Sequence, residues 1–142
     1  MDSKKFNINK APKPVGSYPH ARKLGNLLFL SGVGPRLANS NNTDSKVPGL
    51  TLDQNGNFLS FDFEAQCHSV FKNVRAILEE SGSSWENLVD VTVFLVNMKR
   101  DFATYNKIYA EYFKDNQPCR TTVEISSLPT PIAIELKCIA SI

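Results

Sequence analysis

The run from Val89 to Val96 constrains the fold more than any other stretch. Val89, Val91, Val93 and Leu95 make one face apolar, while Asp90, Thr92, Phe94 and Val96 leave the other mixed. β-Branched residues in that alternation predict an interior strand covered on both sides. Such a strand cannot stand alone, so a sheet with helical cover must surround it.

The flanking sequence supplies both. Phe63, Cys67, Val70, Val74, Ile77 and Leu78 recur at helical spacing, with Lys72, Asn73, Arg75 and Glu79 off the stripe. Ser60 or Asp62 can cap this helix and Gly82 can stop it. Ser83-Ser84-Trp85-Glu86 reads as a capping box opening a short helical turn. A second stripe of Phe102, Tyr105, Tyr109 and Tyr112 predicts a helix from about Arg100 to Phe113.

Ser17–Leu24 and Leu27–Val33 read as strands joined by a tight Gly25-Asn26 turn. Gly32 and Gly34 then break the second strand and permit a close backbone approach. Thr121–Ser126 and Ala133–Ile142 complete the set. The order β-β-α-β-α-β-β predicts an α+β sandwich, two helices on one mixed sheet. We expect a single domain over residues 1–142, with residues 1–12 a flexible lead-in. Residues 38–60, rich in Asn, Ser, Asp and Gly, read as a long loop, functional or mobile.

Composition limits the chemistry. Sixteen Lys and Arg against fourteen Asp and Glu leave a net charge of +2, with no basic stripe to attract nucleic acid or anionic lipid. Cys67, Cys119 and Cys138 are an odd set without a CxxC pair, which suits a reducing compartment. No segment is long and apolar enough for a membrane span, and the N-terminus lacks a signal-peptide pattern. A soluble cytoplasmic protein is expected, and the Asn41-Asn42-Thr43 sequon is read as an ordinary polar loop.

Known site motifs are mostly absent. His20 and His68 do not begin His-x-Glu, and Thr122 stands where a zinc deaminase needs its second cysteine, so zinc is rejected. Gly32-Val33-Gly34 is an incomplete dinucleotide fingerprint, and no GxSxG occurs. Cys119 beside Arg120 lacks a placed histidine. Two residues stand out. Arg120, opening a strand, is either solvated or a planar fork for a carboxylate. Glu135 shares a strand face with Ala133 and Lys137, opposite Ile134, Leu136 and Cys138. It is either a cross-strand partner for lysine or a general base in a cleft.

Five runs taken together carry a resemblance. They are Pro14-Val15-Gly16-Ser17-Tyr18, Leu28-Phe29-Leu30-Ser31-Gly32, Asn73-Val74-Arg75-Ala76-Ile77-Leu78, Val91-Thr92-Val93-Phe94-Leu95 and Cys119-Arg120-Thr121-Thr122-Val123-Glu124. In this order, over about residues 11–142, the chain resembles the Rid (YjgF) family of reactive-intermediate deaminases. Ser17-Tyr18-Pro19-His20-Ala21, Ser31-Gly32-Val33-Gly34-Pro35-Arg36, Asn97-Met98-Lys99-Arg100-Asp101-Phe102 and Leu128-Pro129-Thr130-Pro131-Ile132-Ala133 look like the 2-aminomuconate deaminase branch. The commoner branch carries a glutamine after the tyrosine and a Gly-Gln-Ile-Pro turn, and this chain has neither.

The resemblance implies a YjgF-like, chorismate-mutase-like homotrimer with sites between subunits and no cofactor. By position, it implies that Arg120 holds the substrate carboxylate, Glu135 positions water, Tyr18 closes the cleft from a neighbouring subunit, and Gly32 admits the ligand. His20 and Arg36, which mark the branch, are expected either to meet the far carboxylate of a dicarboxylate substrate or to shuttle a proton. The alternative is that Arg36 only begins a solvated loop and His20 is an ordinary strand histidine. The implied reaction is hydrolytic deamination of 2-aminomuconate to 2-hydroxymuconate or 4-oxalocrotonate. A broad 2-iminobutanoate/2-iminopropanoate deaminase is the alternative, and RNA binding or cleavage a more distant one.

Overall fold

A computed structural model describes residues 3–40 and 46–142. Six strands form one sheet in the order β1-β2-β3-β8-β6-β7, and a two-stranded ribbon, β4-β5, lies apart from it. The strands are β1 (Ser3–Phe6), β2 (Ala21–Leu24), β3 (Leu27–Leu30), β4 (Thr51–Leu52), β5 (Phe58–Ser60), β6 (Leu88–Leu95), β7 (Cys119–Glu124) and β8 (Ile134–Ser141). The helices are α1 (Phe63–Glu80) and α2 (Met98–Tyr112). All sheet pairings are antiparallel except β6 with β7, which α2 connects as a parallel crossover. The sheet is therefore mixed, as expected.

Alternation decides which face is core. Val91, Val93 and Leu95 of β6 and Leu136, Cys138 and Ala140 of β8 are buried together with Leu28 and Leu30 of β3. They meet the α1 stripe of Cys67, Val70, Val74, Ile77 and Leu78, and Tyr105 and Ile108 of α2. Phe71 adds an aromatic cluster with Trp85, Tyr105, Tyr109, Tyr112 and Phe113.

Helix α1 begins where Asp62 accepts the Ala65 N–H at 3.0 Å. It ends with Gly82 at φ 89° and a backbone bond from Ser83 to the Leu78 carbonyl, the left-handed stop that glycine favours.

Four expectations are corrected. The lead-in carries a strand: Ser3–Phe6 pairs with Ala21–Leu24 as an edge strand. The capping box is not made, because Ser84 forms no side-chain cap bond and the Ser83 hydroxyl donates instead to the Ser141 carbonyl. Val89 is exposed, since the β6–β8 register shifts between Leu88 and Asp90 and turns it out of the apolar face. Strand β6 is interior within the sheet, but helices cover only one of its faces in the single chain. The 38–60 stretch carries the β4–β5 ribbon around the Asn55-Gly56 turn. The Asn41-Asn42-Thr43 sequon lies outside the described residues.

Candidate active site

Tyr18, His20, Gly32 and Arg36 line one pocket, together with Ala11, Pro12, Pro14, Ser31, Val33, Gly34 and Ile77. The cavity itself is small, about 40 Å³. One chain therefore supplies all four, and no neighbour is needed to bring Tyr18 beside Gly32.

The pocket wall after β3 is bolted to α1. Asn73 Nδ2 donates to the carbonyls of Gly34 (2.9 Å) and Arg36 (2.7 Å), and the Ser69 hydroxyl donates to that of Pro35 (2.7 Å). Asn73 reads from sequence as off the buried stripe, yet it is buried because these carbonyls need its donors. A polar residue beside the stripe, opposite a glycine-broken loop, is the signal that could have identified it.

Glu135 emerges from β8 on the face away from the helices, paired across the sheet with Phe94. A Cβ built on Gly32 falls 2.7 Å from its Oε2, so only glycine leaves the carboxylate its place. Among the described residues the Glu135 carboxylate has no hydrogen bond or ion pair. Lys137, the lysine on its own face, donates instead to the Leu30 carbonyl. Burial without a partner pushes the Glu135 carboxyl above the usual range, which makes it a stronger base once ionised.

Arg120 lies on the other face. It pairs across the sheet with buried Val91, and its guanidinium sits 4.7 Å from the Tyr109 ring centre and 5.9 Å from those of Phe102 and Tyr105. Its Nη1 donates to Asn106 Oδ1 at 2.9 Å. No carboxylate neutralises it among the described residues. Buried hydroxyls of Tyr105, Tyr109 and Thr122 lie nearby without partners. From sequence, Tyr109 and Asn106 are merely parts of a core helix. An arginine opening the parallel neighbour strand on the helix-facing register was the available clue. Arg120 and Glu135 thus do not meet within one chain.

His20 does not fit the role expected of it. Its Nδ1 accepts the Ile8 N–H at 2.9 Å, and Nε2 lies 2.7 Å from the Pro12 carbonyl. An acceptor at Nδ1 puts the proton on Nε2, which donates to Pro12, so both nitrogens are used. The ring is a strut that ties residues 8–12 to the start of β2. Arg36 is not at the start of a solvated loop: it is only 8% exposed, and burial lowers its pKa. No three His, Cys, Asp or Glu side chains come together among the described residues in a way that could hold a metal.

Comparison with known proteins agrees with this architecture. The family model described as endoribonuclease L-PSP matches residues 8–142. A RutC family protein of Pyrococcus abyssi is 39% identical over 132 residues, covering 92% of this chain and 91% of its own. The chloroplastic Reactive Intermediate Deaminase A of Arabidopsis thaliana is 38% identical over 136 residues, 96% of this chain and 64% of that protein. The crystal structure of the YjgF gene product of E. coli superposes with a TM-score of 0.78 at 31% identity, covering 97% of this chain and 98% of that one. A match this long, over the same helices and mixed sheet, means that the chain belongs to the Rid/YjgF (RutC, L-PSP) family.

Proposed function

We propose that the protein is a metal-independent hydrolytic deaminase of enamine and imine acids, acting on 2-aminomuconate. The observation that carries this reading is Glu135: a desolvated carboxylate without a counterion, held against a glycine whose missing side chain leaves it room. The named activity of the Arabidopsis relative supports the reaction class.

The chemistry follows from those groups. The enamine tautomerises to an imine, whose carbon water can attack. Glu135 takes a proton from the water as the C–O bond forms and passes that proton to the imine nitrogen, which gives a neutral carbinolamine and leaves Glu135 ionised again. On collapse, the carbinolamine hydroxyl returns its proton to Glu135, the C–N bond breaks, and Glu135 protonates the departing nitrogen as ammonia. The product is the 2-oxo acid or its enol. Arg120 fixes the carboxylate next to the reacting carbon through two parallel hydrogen bonds.

Since Arg120 and Glu135 lie on opposite faces of one sheet, a complete site uses Arg120 of one copy and Glu135 of the next, in a homotrimer. Coexpression of Arg120→Met with Glu135→Gln tests this. Each variant alone releases ammonia from 2-aminomuconate at least about 100-fold more slowly than wild type. In evenly mixed trimers roughly a quarter of the sites carry both native residues, and activity returns to about that fraction. Absence of recovery overturns the shared site, and wild-type protein that releases no ammonia overturns the deaminase reading.

The same geometry serves smaller substrates, and parallel turnover of 2-iminobutanoate measures the preference. The family model's endoribonuclease description favours a second reading, RNA binding. A steep salt dependence of binding to an RNA oligonucleotide supports it, and a flat one removes it.

A further inference from the structure

Arg36 is a buried, charged side chain that the reaction as described leaves idle. Its Nη2 donates to the Lys13 carbonyl at 2.8 Å, but its Nη1 is buried and meets no acceptor. No carboxylate pairs with it among the described residues. A buried guanidinium with a free donor and only a neutral carbonyl for company is unfavourable unless something else compensates it.

It is also held rigidly. Its own carbonyl and that of Gly34 are fixed by Asn73, and Pro35 between them by Ser69, so the loop that carries it is positioned from α1. Arg36 lines the pocket that Tyr18 and Gly32 also border, and Gly32 is the residue against which Glu135 rests. A preorganised donor, an unmet hydrogen bond and a small pocket that shares Gly32 with the Glu135 carboxylate are the makings of an anion subsite.

We propose that Arg36, with the Tyr18 hydroxyl beside it, binds the second carboxylate of a dicarboxylate substrate, and so selects such substrates over single-ended imino acids. This rests on the deaminase reading and deepens it. The far carboxylate supplies the counter-charge that Arg36 lacks and displaces water from the pocket. Arg120 remains responsible for the near carboxylate.

Direct binding separates this from the catalytic reading, because it needs no turnover. Muconate, which lacks the amino group, and sorbate, a six-carbon diene with one carboxylate, are titrated calorimetrically into wild type, Arg36→Met and Arg36→Lys. Wild type binds muconate more tightly than sorbate. Arg36→Met weakens muconate by about 10- to 100-fold, the worth of a charge-assisted hydrogen bond, and abolishes the preference. Arg36→Lys, which keeps the charge but loses the fork, falls between. Equal affinity of wild type for the two ligands, or the same loss on both, overturns the subsite. If Arg36→Met unfolds, the Arg36→Lys ratio of the two affinities decides alone. Ammonia release from 2-aminomuconate by wild type is scored separately, so either idea can fail without the other.

Discussion

At the residue scale, the decisive fact about Glu135 is what it lacks. Its elevated carboxyl pKa has two consequences of definite sign. A base must be ionised, so kcat/KM falls as pH drops through that elevated value. For stability, the folded pKa exceeds the unfolded one. The contribution is then fully present below the unfolded value and is lost as pH rises through the folded one. Ionised Glu135 therefore burdens the fold at neutral pH. Glu135→Gln shows a higher Tm than wild type there, a difference that closes toward acid, and at least about a 100-fold lower kcat. A thermal scan against pH with kinetics on the same samples checks both. Sequence alternation reveals the face of Glu135 but not its isolation, because the neighbouring Lys137 is diverted to a backbone carbonyl.

At the element scale, most helices and strands are legible in advance because each satisfies its own period. The misses share a cause. The β1 strand is short and polar, carrying Lys4 and Lys5 as an edge often does, and is a strand only because β2 offers a partner. Ser83-Ser84-Trp85-Glu86 has the letters of a capping box, but the Ser83 hydroxyl finds a better acceptor on β8. Gly82, in contrast, acts as read. At φ 89° a side chain is strained whatever the space around it, so Gly82→Ala costs about 1 kcal/mol in chemical denaturation with the slope unchanged.

At the scale of the whole molecule, the sheet is covered on one side only. Leu24, Leu27, Phe29, Phe94, Val123 and Ile139 share the uncovered face, and Leu24, Leu27 and Val123 are among the exposed large apolar residues. Exposed apolar surface of this kind suits association with a second copy, as the proposed shared site requires, and the β7 edge that carries Arg120 borders it. Val123→Lys on that edge leaves the far-ultraviolet dichroism unchanged, lowers the mass seen in sedimentation, and removes deaminase activity. A monomeric variant that remains active contradicts an intersubunit site.

The sequence alone determined most of the element types, the fold class and the family, because periodicity, turn residues and contiguous motifs are local properties that survive without partners. It also selected Tyr18, Gly32, Arg36, Arg120 and Glu135 for attention. Only the tertiary structure decided where each of them sits and what it touches. The register of β6 against β7 and β8 sends Arg120 and Glu135 to opposite faces, two hydrogen bonds saturate His20, and burial leaves one donor of Arg36 unmet. Those outcomes depend on which distant groups meet, and a hydrogen bond or a desolvated charge exists only once its surroundings do.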